Sequence, residues 1–148
     1  MPDFDVTDAD FEGRVRASFA RQRLMATLGA TLTSVAAGEV EIVLPFREDL
    51  TQQHGYLHAG AVTAIVDSAC GYAAMTLTPP GSEVLSIEFK INLVSPAKGE
   101  LIVARARVVR AGRNITVCAG DAFSRTGAAS EKLVATMLAT MTVVRASD

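Results

Sequence analysis

Residues 52–77, QQHGYLHAGAVTAIVDSACGYAAMTL, read as a polar loop running into a helix whose only charge is Asp67. From His58 onward almost every side chain is small or apolar, which leaves no face for water, and a helix apolar all round is a buried one. The Asp near its middle and Gly55, Gly60 and Gly71 weigh against a membrane span at this length. The stretch therefore predicts a domain wrapped around this helix. An ionised carboxylate inside it is costly unless paired or hydrogen-bonded, which makes Asp67 the first functional candidate.

Pro79, Pro80 and Gly81 stop the helix. Beyond them Leu85, Ile87, Phe89, Ile91 and Leu93 alternate with Ser86, Glu88, Lys90 and Asn92, the period of a strand with one buried apolar face, closed by Ser95 and Pro96. Strict alternation puts Ser86 on the polar face with Glu88, and that face invites further association between subunits. Residues 100–110 and 114–124 form a hairpin around Gly112; after a turn at Thr126, Gly127 and Ala128, residues 132–145 make a last strand. Upstream, residues 30–46 form a hairpin turning at Gly38, with Val40, Ile42, Leu44 and Phe46 on one face. Residues 9–28 suit an amphipathic helix capped by Thr7 or Asp8, with Phe11, Val15 and Phe19 recurring every fourth position and packed on the domain's edge. The order predicts an α+β fold: one mainly antiparallel sheet of five to six strands around one buried helix, plus an N-terminal helix.

The 148 residues are 49% hydrophobic and 20% charged, enough for one core and too few for two. One domain over 1–148 is expected, with 1–29 as its N-terminal helical segment. A net charge of -2 provides no broad basic surface, which argues against nucleic acid and membrane as partners. The first residues are acidic and polar and lack the basic and apolar stretches of a signal peptide. Cys70 and Cys118 have apolar neighbours and read as buried free thiols, and together these features predict a cytoplasmic protein. His54 and His58 stand four apart, but Gly55 and the loop deny them a shared helical face and no compact third and fourth ligand follows. No metal is expected.

The segment Gly55-Tyr56-Leu57-His58-Ala59-Gly60, with Gln52 six residues before the His and Asp67 nine after it, is followed by the strand at 84–98 that holds Ser86. This pattern resembles the hotdog-fold acyl-CoA thioesterases, most closely the phenylacetate-degradation (PaaI-like) branch, and the likeness extends in element order over residues 30–145. The resemblance implies a hotdog fold, hydrolysis of an acyl- or aryl-CoA, and a homodimer or homotetramer as the active species. It also implies site roles for Gln52, His58 and Asp67, with Ser86 as the hydroxyl that positions water. Ala59 departs from the pattern, which has glycine there. The residue contributes a backbone N–H, so alanine serves provided its φ is ordinary.

Thioester hydrolysis builds negative charge on the carbonyl oxygen, and a helix N-terminus meets that charge with unpaired N–H groups and the positive end of its dipole. Ala59 and Gly60 begin the helix and, with the Gln52 amide, make an oxyanion site; His58 fixes the loop or donates a further hydrogen bond. Asp67 lies eight residues along, about 12 Å at about 1.5 Å per residue, too far to serve the same carbonyl within one subunit. The site is therefore expected to be shared, with the oxyanion loop from one subunit and Asp67 and Ser86 from its neighbour, Asp67 acting as base or nucleophile. For coenzyme A phosphates the candidate contacts are Arg113 and Asn114 in a hairpin turn, and Lys98. No cofactor is called for, since coenzyme A is part of the substrate. A non-catalytic acyl-CoA-binding domain and an enoyl-thioester hydratase are the alternatives. Phe46, Tyr72, Met75 and Leu77 line an acyl pocket or belong to the core.

Overall fold

The computed structural model describes residues 3–128 and 130–145. Helices α1 (Phe11–Arg21) and α2 (Arg23–Leu28) precede a hairpin of β1 (Thr31–Ala36) and β2 (Glu39–Pro45). A 3-10 turn, Glu48–Leu50, leads towards α3 (Ala59–Met75), after which come β3 (Ser82–Leu93), β4 (Leu101–Ala111), β5 (Ile115–Arg125) and β6 (Lys132–Arg145). The six strands form one antiparallel sheet in the order β1-β2-β4-β5-β6-β3. The last strand thus inserts between β5 and β3 and leaves β3 at an edge. No described helix is long and apolar enough to cross a membrane.

The sheet curls about α3. Val62, Ile65, Val66, Ala69 and Cys70 are fully buried on the helix, as are Ile42, Ile102, Cys118, Ala139 and Met141 on the strands. Gly120 on β5 lets the two approach: a Cβ there would lie 2.8 Å from Val66 Cγ1 and 2.9 Å from Cys70 Sγ. Since both neighbours are themselves fully buried, overpacking is the expected consequence of any side chain. Gly120→Ala should lower unfolding free energy by about 1–3 kcal/mol, read as an earlier urea midpoint at unchanged slope.

The N-terminal helix is two helices, not one. Gln22 breaks it with extended backbone, φ -79 and ψ 98. The residue at the cap is Asp10 rather than Thr7 or Asp8, and its side chain makes no cap hydrogen bond. Asp8 instead accepts the Asp10 N–H and the Arg14 Nε–H, the latter at 2.7 Å. Arg14 in turn donates to the carbonyls of Met75, Thr78 and Ser82 at 2.8–3.1 Å, tying α1 to the end of α3 and the start of β3. The segment is therefore bound into the core, with Val15 and Met25 fully buried, instead of resting on the edge. Helix α3 ends at Met75, before the prolines. The hydroxyls of Thr76 and Thr78 donate to the Ala73 and Met75 carbonyls and cap it there.

Strand β3 corrects two expectations. Its register against β6 shifts between Ser86 and Glu88, so Ile87 is the extra residue of a β-bulge and the side-chain parity changes across it. Ser86 pairs with Met141, while Phe89, Ile91 and Leu93 pair with Ala139, Met137 and Ala135, all residues of the sheet's buried face. Ser86 thus shares the helix side with Phe89, and Glu88 and Lys90, opposite Thr140 and Leu138, turn outward. The apolar residues of β3 are not buried either: Leu85, Ile87, Phe89 and Leu93 are 41–58% exposed, because β3 is an edge strand. Helix α3 has a matching open side. Gly60, Thr63, Ala64, Asp67, Ser68 and Gly71 are half-buried or exposed, so the sheet covers most of the helix but not all of it.

Candidate active site

The loop before α3 is fastened at several points. Thr51 and Leu57 form an antiparallel bridge, the His58 N–H donates to the Leu50 carbonyl at 2.9 Å, and the Leu57 N–H donates to the Ala97 carbonyl at 2.9 Å. Gly55, at φ +84, supplies the left-handed turn that brings the loop back. His58 is the N-cap of α3, and its Nδ1 accepts the Gly60 N–H at 2.7 Å. A ring nitrogen that accepts carries no proton, so in the neutral ring Nε2 is the donor.

That cap changes the expected oxyanion site. The Gly60 N–H is taken up by His58, whereas Ala59, at the first helical position, has no intrahelical acceptor for its N–H. Among the described residues no non-glycine has a positive φ, so Ala59 carries its methyl group without backbone strain. Gln52 accepts the His54 N–H on its Oε1, and with Ala59 and Ala97 it lines a cavity of about 380 Å³ at the helix entry.

Asp67 forms the second cluster. It is half-buried, not fully enclosed, and its Oδ1 accepts the Ser86 hydroxyl at 2.7 Å. The bulge in β3 makes this contact possible by turning Ser86 towards α3. A groove of about 640 Å³ runs between α3 and the overhanging face of β3, lined by Ala59 and Gly60 at one end, Asp67 at the other, and Phe89, Ile91 and Leu93 alongside. Within one chain the structure brings Gln52, His58, Ala59 and Gly60 together, and Asp67 with Ser86, but the two clusters stay eight residues of helix apart.

The proposed phosphate contacts are not together in one chain. Lys98 precedes β4 and Arg113 and Asn114 follow it, so the 11-residue strand separates them by about 36 Å at about 3.3 Å per residue. Of the four aromatic and aliphatic candidates, Tyr72 and Met75 are buried and also line a smaller recess of about 240 Å³ beside Ser86. Phe46 is exposed and Leu77 is packed against the core. Both cysteines are buried and free, and the Cys118 thiol donates to the Cys70 carbonyl. Burial pushes both thiols up, Cys118 to about 12, so neither is a thiolate nucleophile near neutral pH. Sequence reading passed over Gln22, which reaches Ser68 and Tyr72 from the break between α1 and α2. The one available signal was its place four residues after Ser18, on a helix otherwise rich in arginine.

The thioesterase superfamily model matches residues 54–131, just over half the chain, and the chain belongs to that superfamily. Its class is accordingly that of the thioester hydrolases, and its fold is the hotdog. Acyl-coenzyme A thioesterase 13 of Homo sapiens is 34% identical over 106 residues, covering 71% of this chain and 73% of that protein. A thioesterase family protein from Silicibacter pomeroyi, known as a crystal structure, is 46% identical with a TM-score of 0.89, covering 92% of this chain and 99% of its own. The E. coli PaaI protein of the phenylacetic acid degradation operon, at 16% identity and a TM-score of 0.83 over 95% of this chain and 96% of that one, shares the fold.

Proposed function

We propose that the chain is an acyl-CoA thioesterase whose site is completed by two copies of the chain. The observation that carries this reading is the Ser86–Asp67 pair, set in an apolar groove whose other end is the N-terminus of α3. Ser86 holds one Asp67 oxygen and leaves the other for a water. As the water oxygen bonds to the thioester carbon, Asp67 takes its proton. The carbonyl electrons move to oxygen, where the Ala59 N–H and the Gln52 amide receive the charge. When they return, the C–S bond breaks, coenzyme A leaves as its thiol with that proton, and the free acid remains. Direct attack by Asp67 uses the same carboxylate and the same oxyanion donors. Neither route calls on a metal or a resident cofactor. His58 serves as the positioning residue that caps α3.

The second copy is supported by β3, a 12-residue edge strand whose exposed Leu85, Ile87, Phe89 and Leu93 make an isolated edge a liability. Antiparallel pairing of β3 with the same strand of a second chain closes the open side of each groove and sets the end of one β3 beside the start of the other. The oxyanion loop then faces Asp67 of the partner subunit, and Lys98 gains the partner's Arg113 and Asn114 as company for the coenzyme A phosphates. The outward face with Glu88, Lys90 and the exposed Leu138 is the proposed contact between dimers of a homotetramer. The named activity of the human relative supports an acyl-CoA substrate, and a cytoplasmic location is part of the same proposal. Thiol release from a panel of acyl- and aryl-CoA thioesters, followed with a thiol reagent, tests the reading. Turnover of at least one member is the expected result, and binding without thiol release across the panel contradicts it.

A further inference from the structure

The groove continues past the entry of α3. Leu24, Gly60 and Ala64 line it and also border a second pocket of about 380 Å³, set between α2 and the loop that leads into α3. Leu28 and Ala61 form the buried floor of this pocket, Leu50 and Ala64 are half-buried in its walls, and Leu24 is 53% exposed at its edge. Three polar side chains border it too, and each is already engaged. Asp49 accepts hydrogen bonds from Arg47 at 2.7 and 3.0 Å, the Thr51 hydroxyl donates to the Glu48 carbonyl, and His58 Nδ1 accepts the Gly60 N–H. Arg47 is occupied in the same way, by that carboxylate and by the Thr27 carbonyl. What the pocket leaves to a ligand is aliphatic surface. The cavity on the other side of Ala59 differs: Gln52, Tyr56 and Ser95 line it, and it ends at Ala97, next to Lys98.

We propose that the pocket between α2 and the loop takes the acyl tail, and that Leu24 is a specificity-determining residue favouring aliphatic acyl groups long enough to reach it. The proposal rests on the thioesterase reading, which places the reacting carbonyl at the Ala59 N–H. From there the two arms of the thioester part. The pantetheine arm of coenzyme A, with its amides and terminal phosphates, suits the cavity lined by Gln52, Tyr56 and Ser95 that ends beside Lys98. The acyl arm carries no polar group and crosses Gly60, which has no side chain to block it. It then follows α3 from Gly60 to Ala64, about 6 Å at about 1.5 Å per residue, where Leu24 borders the path. Acyl groups too short to span that stretch gain nothing from Leu24. Each further methylene that the pocket buries adds roughly fourfold in affinity.

The test compares the chain, Leu24→Asp and Leu24→Met on straight-chain acyl-CoA thioesters from acetyl to lauroyl, measuring kcat/KM. In parallel, binding is measured for S-alkyl thioether analogues of the same lengths, which cannot be hydrolysed. Leu24 is exposed and stands in the first turn of α2, where a carboxylate suits the helix, so Leu24→Asp should fold; sedimentation checks that its assembly is unchanged. In the original chain both measurements are expected to rise with acyl length. Leu24→Asp, which sets a charge against the tail, should lower the long-to-short ratio roughly tenfold or more in both. Leu24→Met, which conserves volume and apolarity, should keep the original profile. A flat length profile in the original chain overturns the proposal, as does a Leu24→Asp profile that superimposes on the original or falls equally at every length. Loss of assembly in Leu24→Asp assigns the residue to a contact between subunits and overturns it as well. A shift in thioether binding without thiol release by any of the three proteins upholds the pocket and removes the thioesterase reading instead.

Discussion

Asp67→Asn is expected to lower kcat on the best acyl-CoA substrate by about 1,000-fold, within the range that positioned acid–base groups contribute. The substitution keeps the size of the side chain and an oxygen at the Oδ1 position, so the Ser86 hydroxyl retains its acceptor. What it removes is the charge and the capacity to take a proton or attack a carbon. Substrate affinity should change little and the folded state should be no less stable, since a half-buried carboxylate becomes neutral. A single turnover in isotopically labelled water then separates the two routes. A water that attacks the thioester under base catalysis delivers its oxygen to the acid product, whereas after attack by Asp67 the water that cleaves the resulting anhydride at the Asp67 carboxyl carbon leaves its oxygen on the protein. Turnover by Asp67→Asn at near the original rate would remove Asp67 from the chemistry.

Ala59→Pro should cost about 100-fold or more in kcat while leaving the helix intact. Proline replaces the backbone N–H at this position with the ring carbon Cδ. The first turn of a helix has no acceptor for the lost N–H, and the fixed proline φ suits the site. The preceding residue must be extended for proline to follow, and His58 already has φ -59 and ψ 139. Ala59→Gly, which retains the N–H and restores the residue usual in the related pattern, should keep the rate. A thermal midpoint at or above that of the original chain, with kcat down and binding of the thioether analogue retained, is the expected combination. Full activity in Ala59→Pro would mean that the oxyanion is held elsewhere.

Local sequence signals sufficed for α3, its loop and the order of elements, because the change from a two-residue to a helical hydrophobic period is local. The bulge in β3 left no such trace. Leu85, Ile87, Phe89, Ile91 and Leu93 keep an unbroken alternation, yet the extra residue at Ile87 reverses which of them face the helix. Its existence depends on pairing with β6, a strand that arrives almost fifty residues later in the chain. The open side of α3 was hidden for a different reason. Gly60, Ala64, Ser68 and Gly71 are small residues that fit equally well under the chain's own sheet or against a second helix, and composition does not separate these. The break at Gln22 is likewise tertiary in origin: neither glycine nor proline marks it, and what holds the side chain is Ser68 and Tyr72, nearly fifty residues away. Finally, a histidine at the N-cap was legible as part of a motif, but its capture of the Gly60 N–H, which leaves the Ala59 N–H as the donor without an intrahelical partner, depends on how the loop folds back.

If one catalytic site draws its oxyanion donor and its carboxylate from different copies of the chain, mixing two inactive variants should restore activity. Ala59→Pro and Asp67→Asn each break both sites of their own homodimer. After reversible dissociation and confirmed subunit exchange, a mixed dimer gathers both lesions in one site and leaves the other whole. With half the dimers mixed and one site in two working, activity should return to about one quarter of the original in a twofold-symmetric pair. If exchange is complete and activity stays at the level of the separate variants, Ala59 and Asp67 serve one site within a single chain and the shared-site account is contradicted.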